Sequence, residues 1–251
     1  MTAMKYGYAN VLAGTAASAV VTGSELASSA LKASQFYAPA RGTVDDNPYV
    51  GFNQEFLRFM LSDGAGAALI EDHVRRQRPA LRIDWLDIRS FANELQACMY
   101  SGAVKQPDGT LRGWREEEEG IEAVLGKGYF NLSQDVNLLA DNIVKVAGRF
   151  FREVRDRRQL KPEEIDWFLP HLSSMFFQQP LYDEMAASGF EIPLEKWFTN
   201  LKYKGNTGSA SIFIILEELA RSGKLKTGER ILCAVPESAR FTFAALHLTV
   251  V

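Results

Sequence analysis

The sequence is short of cysteine, of long apolar runs and of surplus positive charge, and each shortage removes a class of protein. Only Cys98 and Cys233 occur among 251 residues. They lie far apart and form no CxxC pair, so free thiols in a reducing compartment are expected rather than a disulfide framework. Neither has histidines at metal-ligand spacing, and no metal site is expected. No run of about 20 apolar residues is present, so no membrane-spanning helix is expected. Lys5 is the only basic residue near the N-terminus, and the short apolar stretch from Tyr6 to Ala13 is interrupted by Asn10. That is a poor signal peptide, and a cytoplasmic location is the expectation. A net charge of -3 offers no nucleic-acid surface. The longest charge run, Arg115 to Glu119, reads as a solvated face.

What is present is an ordinary globular composition, 47% apolar and 24% charged, long enough for a sizeable core. Residues 3 to 13 read as a helix closed by Gly14. Ala19 to Gly23 reads as a short buried strand. Residues 24 to 58 are rich in turn formers and read as loop with one or two short helices. Ala67 to Ile70 and Leu81 to Ile88 read as strands forming a hairpin-like pair. Residues 101 to 131, punctuated by Gly102, Pro107-Asp108-Gly109 and Gly113, read as loop with a short helix from Glu118 to Leu125.

Ser133 to Arg157 gives the strongest helix signal. Val136, Leu139, Ala140, Ile143, Val146, Phe150 and Val154 recur at intervals of three or four. Ser133 is the expected cap, and Asp135 suits the first turn. Arg152, Arg155, Arg157 and Arg158 favour the C-terminal end of the dipole; a basic patch for an acidic partner is the alternative. Asp166 to Pro170 reads as a buried strand, Ser173 to Ala187 and Gly208 to Ser222 as helices, and Arg230 to Val235 and Phe241 to Val251 as neighbouring strands. Strands and helices alternate, so the fold class is α/β.

Three segments carry chemistry. Leu169-Pro170-His171 puts a histidine straight after an apolar strand. Gly205-Asn206-Thr207-Gly208-Ser209-Ala210-Ser211 is a small-residue loop opening a helix. Gly223-Lys224-Leu225-Lys226-Thr227-Gly228 is a turn ahead of a strand. Alone, each has a plain structural reading: a packed histidine, a turn asparagine chosen for its backbone tolerance, a close-packed helix start.

In this order, with 35 residues from His171 to Asn206, the segments resemble the β-ketoacyl-ACP synthase III family of the thiolase superfamily. The resemblance extends back through Ser62-Asp63-Gly64-Ala65-Gly66-Ala67 and Val20-Val21-Thr22-Gly23-Ser24-Glu25, and so spans most of the chain. Val235-Pro236-Glu237-Ser238-Ala239-Arg240-Phe241 departs from the glycine-rich loop of the fatty-acid enzymes. It looks more like the branch that builds dialkylresorcinols, cyclohexanediones and other secondary metabolites.

The resemblance implies a thiolase-like α/β fold, with an incomplete N-terminal half in residues 1–131 that carries a loop insertion and a complete C-terminal half in residues 132–251. It implies an acyltransferase that condenses acyl thioesters of coenzyme A or acyl carrier protein by decarboxylative or Claisen chemistry, with no other cofactor. His171 and Asn206 would be neutral donors to the enolate oxygen. Glu237 would be a general base in the divergent branch, or simply a turn residue. Arg41 would lie near the coenzyme A adenine, or be a plain loop arginine. A homodimer, or a heterodimer with another ketosynthase, is the implied assembly.

The family's nucleophilic cysteine sits at a helix N-terminus, which lowers its pKa. By this resemblance it would fall a few residues before Met1, so a chain truncated at its N-terminus and unable to condense acyl groups is expected. Cys98 has no helix start or histidine nearby, and Cys233 lies within an apolar strand where a thiol acts as a small hydrophobe. Two other readings stand beside the truncated enzyme. One is a non-catalytic subunit paired with an active ketosynthase; the other is a remnant that decarboxylates malonyl thioesters. A Ser-His-Asp hydrolase would need a G-x-S-x-G elbow, which the sequence lacks in that context.

Overall fold

The computed structural model describes residues 1–32, 57–58, 60–74 and 80–251. Arg41 lies outside them. Helix α1 (Thr2–Leu12) is followed by β1 (Ser18–Glu25), the single turn α2 (Ala27–Ala30), β2 (Gly64–Glu71) and β3 (Leu81–Ser90). Gly14, at φ 71, takes the left-handed position that closes α1. Short strands β4 (Met99–Tyr100), β5 (Ala103–Lys105) and β6 (Leu111–Gly113) precede α3 (Ile121–Gly126) and β7 (Ser133–Gln134). Then come α4 (Val136–Arg158), β8 (Trp167–Pro170), α5 (Gln178–Ala187), α6 (Leu201–Lys204), α7 (Ser211–Arg221), β9 (Arg230–Glu237) and β10 (Thr242–Val250).

Two sheets organise these elements. β1 and β2 pair antiparallel, Ser18 opposite Glu71 and Glu25 opposite Gly64. The second sheet has the order β3-β10-β9-β8, with β8 and β9 parallel and the other pairs antiparallel. The expected hairpin of β2 with β3 is therefore corrected: β3 crosses to the second sheet and pairs with β10, Leu86 opposite Leu246. Both strands are apolar along this stretch, and a local reading of the sequence cannot see a partner 160 residues away.

The side chains of the second sheet alternate with period two between two cores. Leu169, Ile231, Cys233, Leu246, Leu248 and Val250 share one core with Val21 of β1, Ile70 of β2, Met4 and Val11 of α1, and Ile212, Phe213, Ile215 and Leu219 of α7. Helices α1 and α7 thus fill the layer between the sheets. Phe168, Leu232, Ala234, Phe243 and Ala245 face the opposite core with Ala147, Phe150, Phe151 and Val154 of α4 and Met185 of α5. Strands buried on both faces read as continuous apolar runs, which is how β8 to β10 look in the sequence.

Two further expectations change. The cap of α4 is Asp135, whose carboxylate accepts from Leu138 N at 2.9 Å, whereas Ser133 is taken up in β7 opposite Tyr100. Asp135 also pairs with Lys105 Nζ at 2.7 Å. Residues 101 to 131 are more than loop: β5 and β6 form a hairpin turning at Pro107-Asp108-Gly109, where Asp108 Oδ1 accepts from Thr110 N at 2.9 Å. The turn signal was present; its flanking strands, three residues each, are too short to show periodicity.

Candidate active site

His171 is the first residue beyond β8. Its backbone N–H donates to Ala234 O at 2.8 Å, extending the parallel ladder by one rung past Pro170 and Ala234. The neighbouring strand β9 therefore sets the depth of the imidazole. The ring lines a small cleft of about 50 Å³, partly open to solvent, between α4, α5 and the ends of β8 and β9. Burial pushes the pKa of His171 down to about 4. The imidazole is neutral at physiological pH, so it offers an N–H without bringing a charge.

Asn206 is held in the loop between α6 and α7. Its side-chain Oδ1 accepts from Gly208 N at 3.1 Å, and its backbone oxygen accepts from Ser62 N at 2.8 Å. With the oxygen so occupied, the Nδ2 amide is left to donate; among the described residues it has no partner. Asn206 is 6% exposed. The loop needs its glycines. Gly205 has φ 74 and Gly208 has φ 52, and a Cβ at Gly208 would collide with the Glu25 carboxylate. Thr207 Oγ1 and Ser211 Oγ lie 3.0 Å apart, both buried, and tie the loop to the first turn of α7.

A shared sheet end relates the two residues. The chain at Trp197 and Phe198 runs parallel beside β8, with Phe198 N donating to Phe168 O at 2.8 Å. The segment leading to Asn206 therefore leaves the sheet at the end where His171 sits. His171 lines the cleft; Asn206 and Glu237 do not.

Glu237 ends β9, and its carboxylate accepts from Ala239 N at 2.6 Å and Arg240 N at 3.2 Å. This geometry favours the turn reading over the general base. Both cysteines are fully buried. Burial pushes the Cys98 thiol up to about 12 and raises that of Cys233 as well, so neither supplies a thiolate near neutral pH.

A family model described as "3-Oxoacyl-[acyl-carrier-protein (ACP)] synthase III C terminal" matches residues 156–248, a stretch that contains His171, Asn206 and Glu237. Residues 156–248 are thus similar to the C-terminal part of β-ketoacyl-ACP synthase III. The β-ketoacyl-ACP synthase III of Prochlorococcus marinus (strain NATL2A) is 42% identical over 82 residues, 33% of this chain and 23% of that protein. That of Coxiella burnetii (strain Dugway 5J108-111) is 27% identical over 173 residues, 69% of this chain and 45% of that protein. The crystal structure of the synthase III from Thermus thermophilus superposes with a TM-score of 0.68 at 22% identity, covering 99% of this chain and 64% of that one. The synthase III-like chain thus has a thiolase-like α/β fold, and it spans less than half the length of these two curated relatives.

Sequence reasoning missed two contributors to the candidate site. Glu25, at the end of β1, accepts from Ser209 N at 3.1 Å, and Ser209 Oγ donates to Ser24 O at 3.0 Å. These bonds pin the Asn206 loop to the first sheet. The signal was a lone carboxylate closing an apolar strand. The second is the cleft wall from α4, residues Ile143, Val144 and Ala147, which the helical periodicity assigns simply to core.

Among the described residues, no helix is long and apolar enough to cross a membrane. No group of three or more His, Cys, Asp or Glu there could hold a metal ion.

Proposed function

We propose that this chain carries the enolate-stabilising part of a ketosynthase-type acyltransferase acting on thioesters of coenzyme A or acyl carrier protein. The observation that carries the reading is His171: a neutral imidazole, held by its own backbone at the head of a cleft, in a chain whose similarity to synthase III proteins runs through that residue. In the reaction, a malonyl or β-ketoacyl thioester loses carbon dioxide or a proton, and the electron pair moves toward the thioester oxygen. Two uncharged donors, the imidazole N–H and the Asn206 amide, stabilise that oxygen without reorganisation of water. The carbanion then attacks an acyl thioester carbonyl and expels the thiolate. Neither Cys98 nor Cys233 is suited to present the acyl group, so that thiol is a different one.

Incubation with malonyl-CoA, following release of carbon dioxide and acetyl-CoA, tests the reading. Turnover lost in both His171→Ala and Asn206→Ala supports it. Turnover unchanged in both variants sinks it.

A second reading, a non-catalytic subunit paired with an active ketosynthase, is favoured by the two inert thiols. No malonyl-CoA turnover together with stable binding to a second ketosynthase would select it. The finer placement in the dialkylresorcinol and secondary-metabolite branch rests on the Val235 to Phe241 segment, and a dimer on the resemblance alone.

A further inference from the structure

A second cavity, of about 260 Å³, lies between α1, β3 and the C-terminal end of α4. In the sheet order β3-β10-β9-β8, β3 stands three strands away from the strand that carries His171. The His171 cleft touches the middle of α4, whereas this cavity touches Arg158, the last residue of that helix. Helix α1 contributes Lys5, Tyr8, Ala9 and Leu12, whose spacing of three, one and three places them on one helical face. Among the described lining residues Asp84 is the one carboxylate, and both of its oxygens are occupied. Oδ1 accepts from Arg82 Nε at 2.8 Å; Oδ2 accepts from Thr249 Oγ1 at 2.6 Å and lies 2.8 Å from His247 Nδ1. The donors, in contrast, are largely free. Lys5 Nζ, Tyr8 OH and Trp85 Nε1 have no hydrogen-bond partner among the described residues. Arg158 spends Nε and Nη2 on Asp87, at 2.9 and 2.7 Å, and keeps Nη1.

We propose that this cavity binds a small carboxylate with a compact apolar body, at a site separate from the His171 cleft. Ammonium and indole N–H groups donate and do not accept, so the group that answers them is an acceptor, and a charged acceptor makes the stronger bonds. The local charge has the matching sign. Asp84 and Asp87 are paired with Arg82, Arg157 and Arg158, and Lys5 adds a cation with no partner. The indole is held in place: the His247 ring stacks on Trp85 with centroids 5.3 Å apart and planes 12° from parallel, and the Arg158 guanidinium lies 5.2 Å from its centroid. The rest of the lining is apolar, from Ala9, Leu12 and Leu86, and Leu12 is 72% exposed. A bare phosphate would satisfy the donors yet leave these walls wet, whereas an apolar body takes them out of water. The volume lies just below the range of about 300–1,000 Å³ common for drug-sized ligands, which limits the occupant to a small molecule.

Phenylacetate is the probe, titrated into the full chain and followed by proton–nitrogen NMR, with the indole N–H signal of Trp85 assigned through Trp85→Phe. Phenylacetate should shift that signal and saturate it. Benzyl alcohol, which lacks the charge, and inorganic phosphate, which lacks the apolar body, should each bind at least about fivefold more weakly. Lys5→Gln should weaken phenylacetate binding by at least about fivefold. Ala9→Phe should abolish it by filling the cavity. Lys5 and Ala9 are both exposed on α1, so the two variants keep the fold, which unchanged amide signals from β9 and β10 verify. A Trp85 signal that does not move up to the solubility limit of phenylacetate overturns the proposal. Binding that both variants leave unchanged overturns it as well, as does benzyl alcohol or phosphate binding as tightly as phenylacetate.

Discussion

Glu25 and Ser209 are 184 residues apart in sequence and are joined by a hydrogen bond of 3.1 Å from the Ser209 amide to the Glu25 carboxylate. The bond ties the last residue of β1 to the loop that carries Asn206. Glu25→Ala is therefore expected to lower stability by about 1 kcal/mol and to reduce any Asn206-dependent turnover more than this loss explains. Urea unfolding alongside malonyl-CoA turnover checks it. Unaltered turnover would mean that the loop is held without this carboxylate.

Gly208 is expected to tolerate no side chain. Its φ of 52 is costly for an L residue, and a Cβ would strike the same carboxylate. Gly208→Ala should destabilise by more than about 1 kcal/mol. If relief of the collision is what matters, Glu25→Ala should partly rescue it, which a double-mutant cycle resolves.

Acid should weaken the fold through His171. The folded state holds its pKa at about 4, below the ordinary value of 6.5. Between these values the unfolded chain binds more protons, so stability rises with pH across this window and is lost as pH falls through it. Each unit of displacement corresponds to about 1.4 kcal/mol. Burial also lowers the pKa of His247, so the measurement is the difference between the chain and His171→Gln. The variant should lose part of the slope between pH 4 and 6.5. Equal slopes would place the ring in water.

The two thiols should be silent in the native protein. Cys98 and Cys233 are fully buried with raised pKa values. A thiol-reactive chromophore at pH 8 should titrate neither on the minute timescale and both in denaturant. Rapid modification of Cys98 in the native state would reopen it as a nucleophile.

Asp135 and Ser133 separate the two possible caps of α4. Asp135→Ala removes the bond to Leu138 N and the partner of Lys105, and should cost about 1–2 kcal/mol. Ser133→Ala should cost little, because that side chain caps nothing. Equilibrium denaturation of both variants decides between them.

Much of the fold was legible because β8 to β10, α4 and α7 each carry a local signal: an apolar run, a 3.6 period or a closing glycine. Pairing was not legible. β2 and β3 look like neighbours in sequence, yet one lies in each sheet, and only the register of β3 against β10 reveals it. At the candidate site, motif order singles out His171 and Asn206 as candidates, and the glycines at 205 and 208 are readable from the loop they allow. The roles of Glu25 and of the α4 wall depend on contacts between segments distant in the chain, and spacing along one segment carries no trace of them. Glu237 shows the opposite case: a carboxylate that drew attention in the sequence turns out to be hydrogen-bonded to its own turn.

The pairing of β3 with β10 has one practical consequence. A fragment starting at residue 132 would keep His171 and Asn206 but lose the strand that shields the outer margin of β10. That margin would then present a row of bare amides and carbonyls, an invitation to strand exchange between copies. Anyone trimming this protein to its motif-bearing portion should keep residues 81–90, although they carry no chemistry of their own.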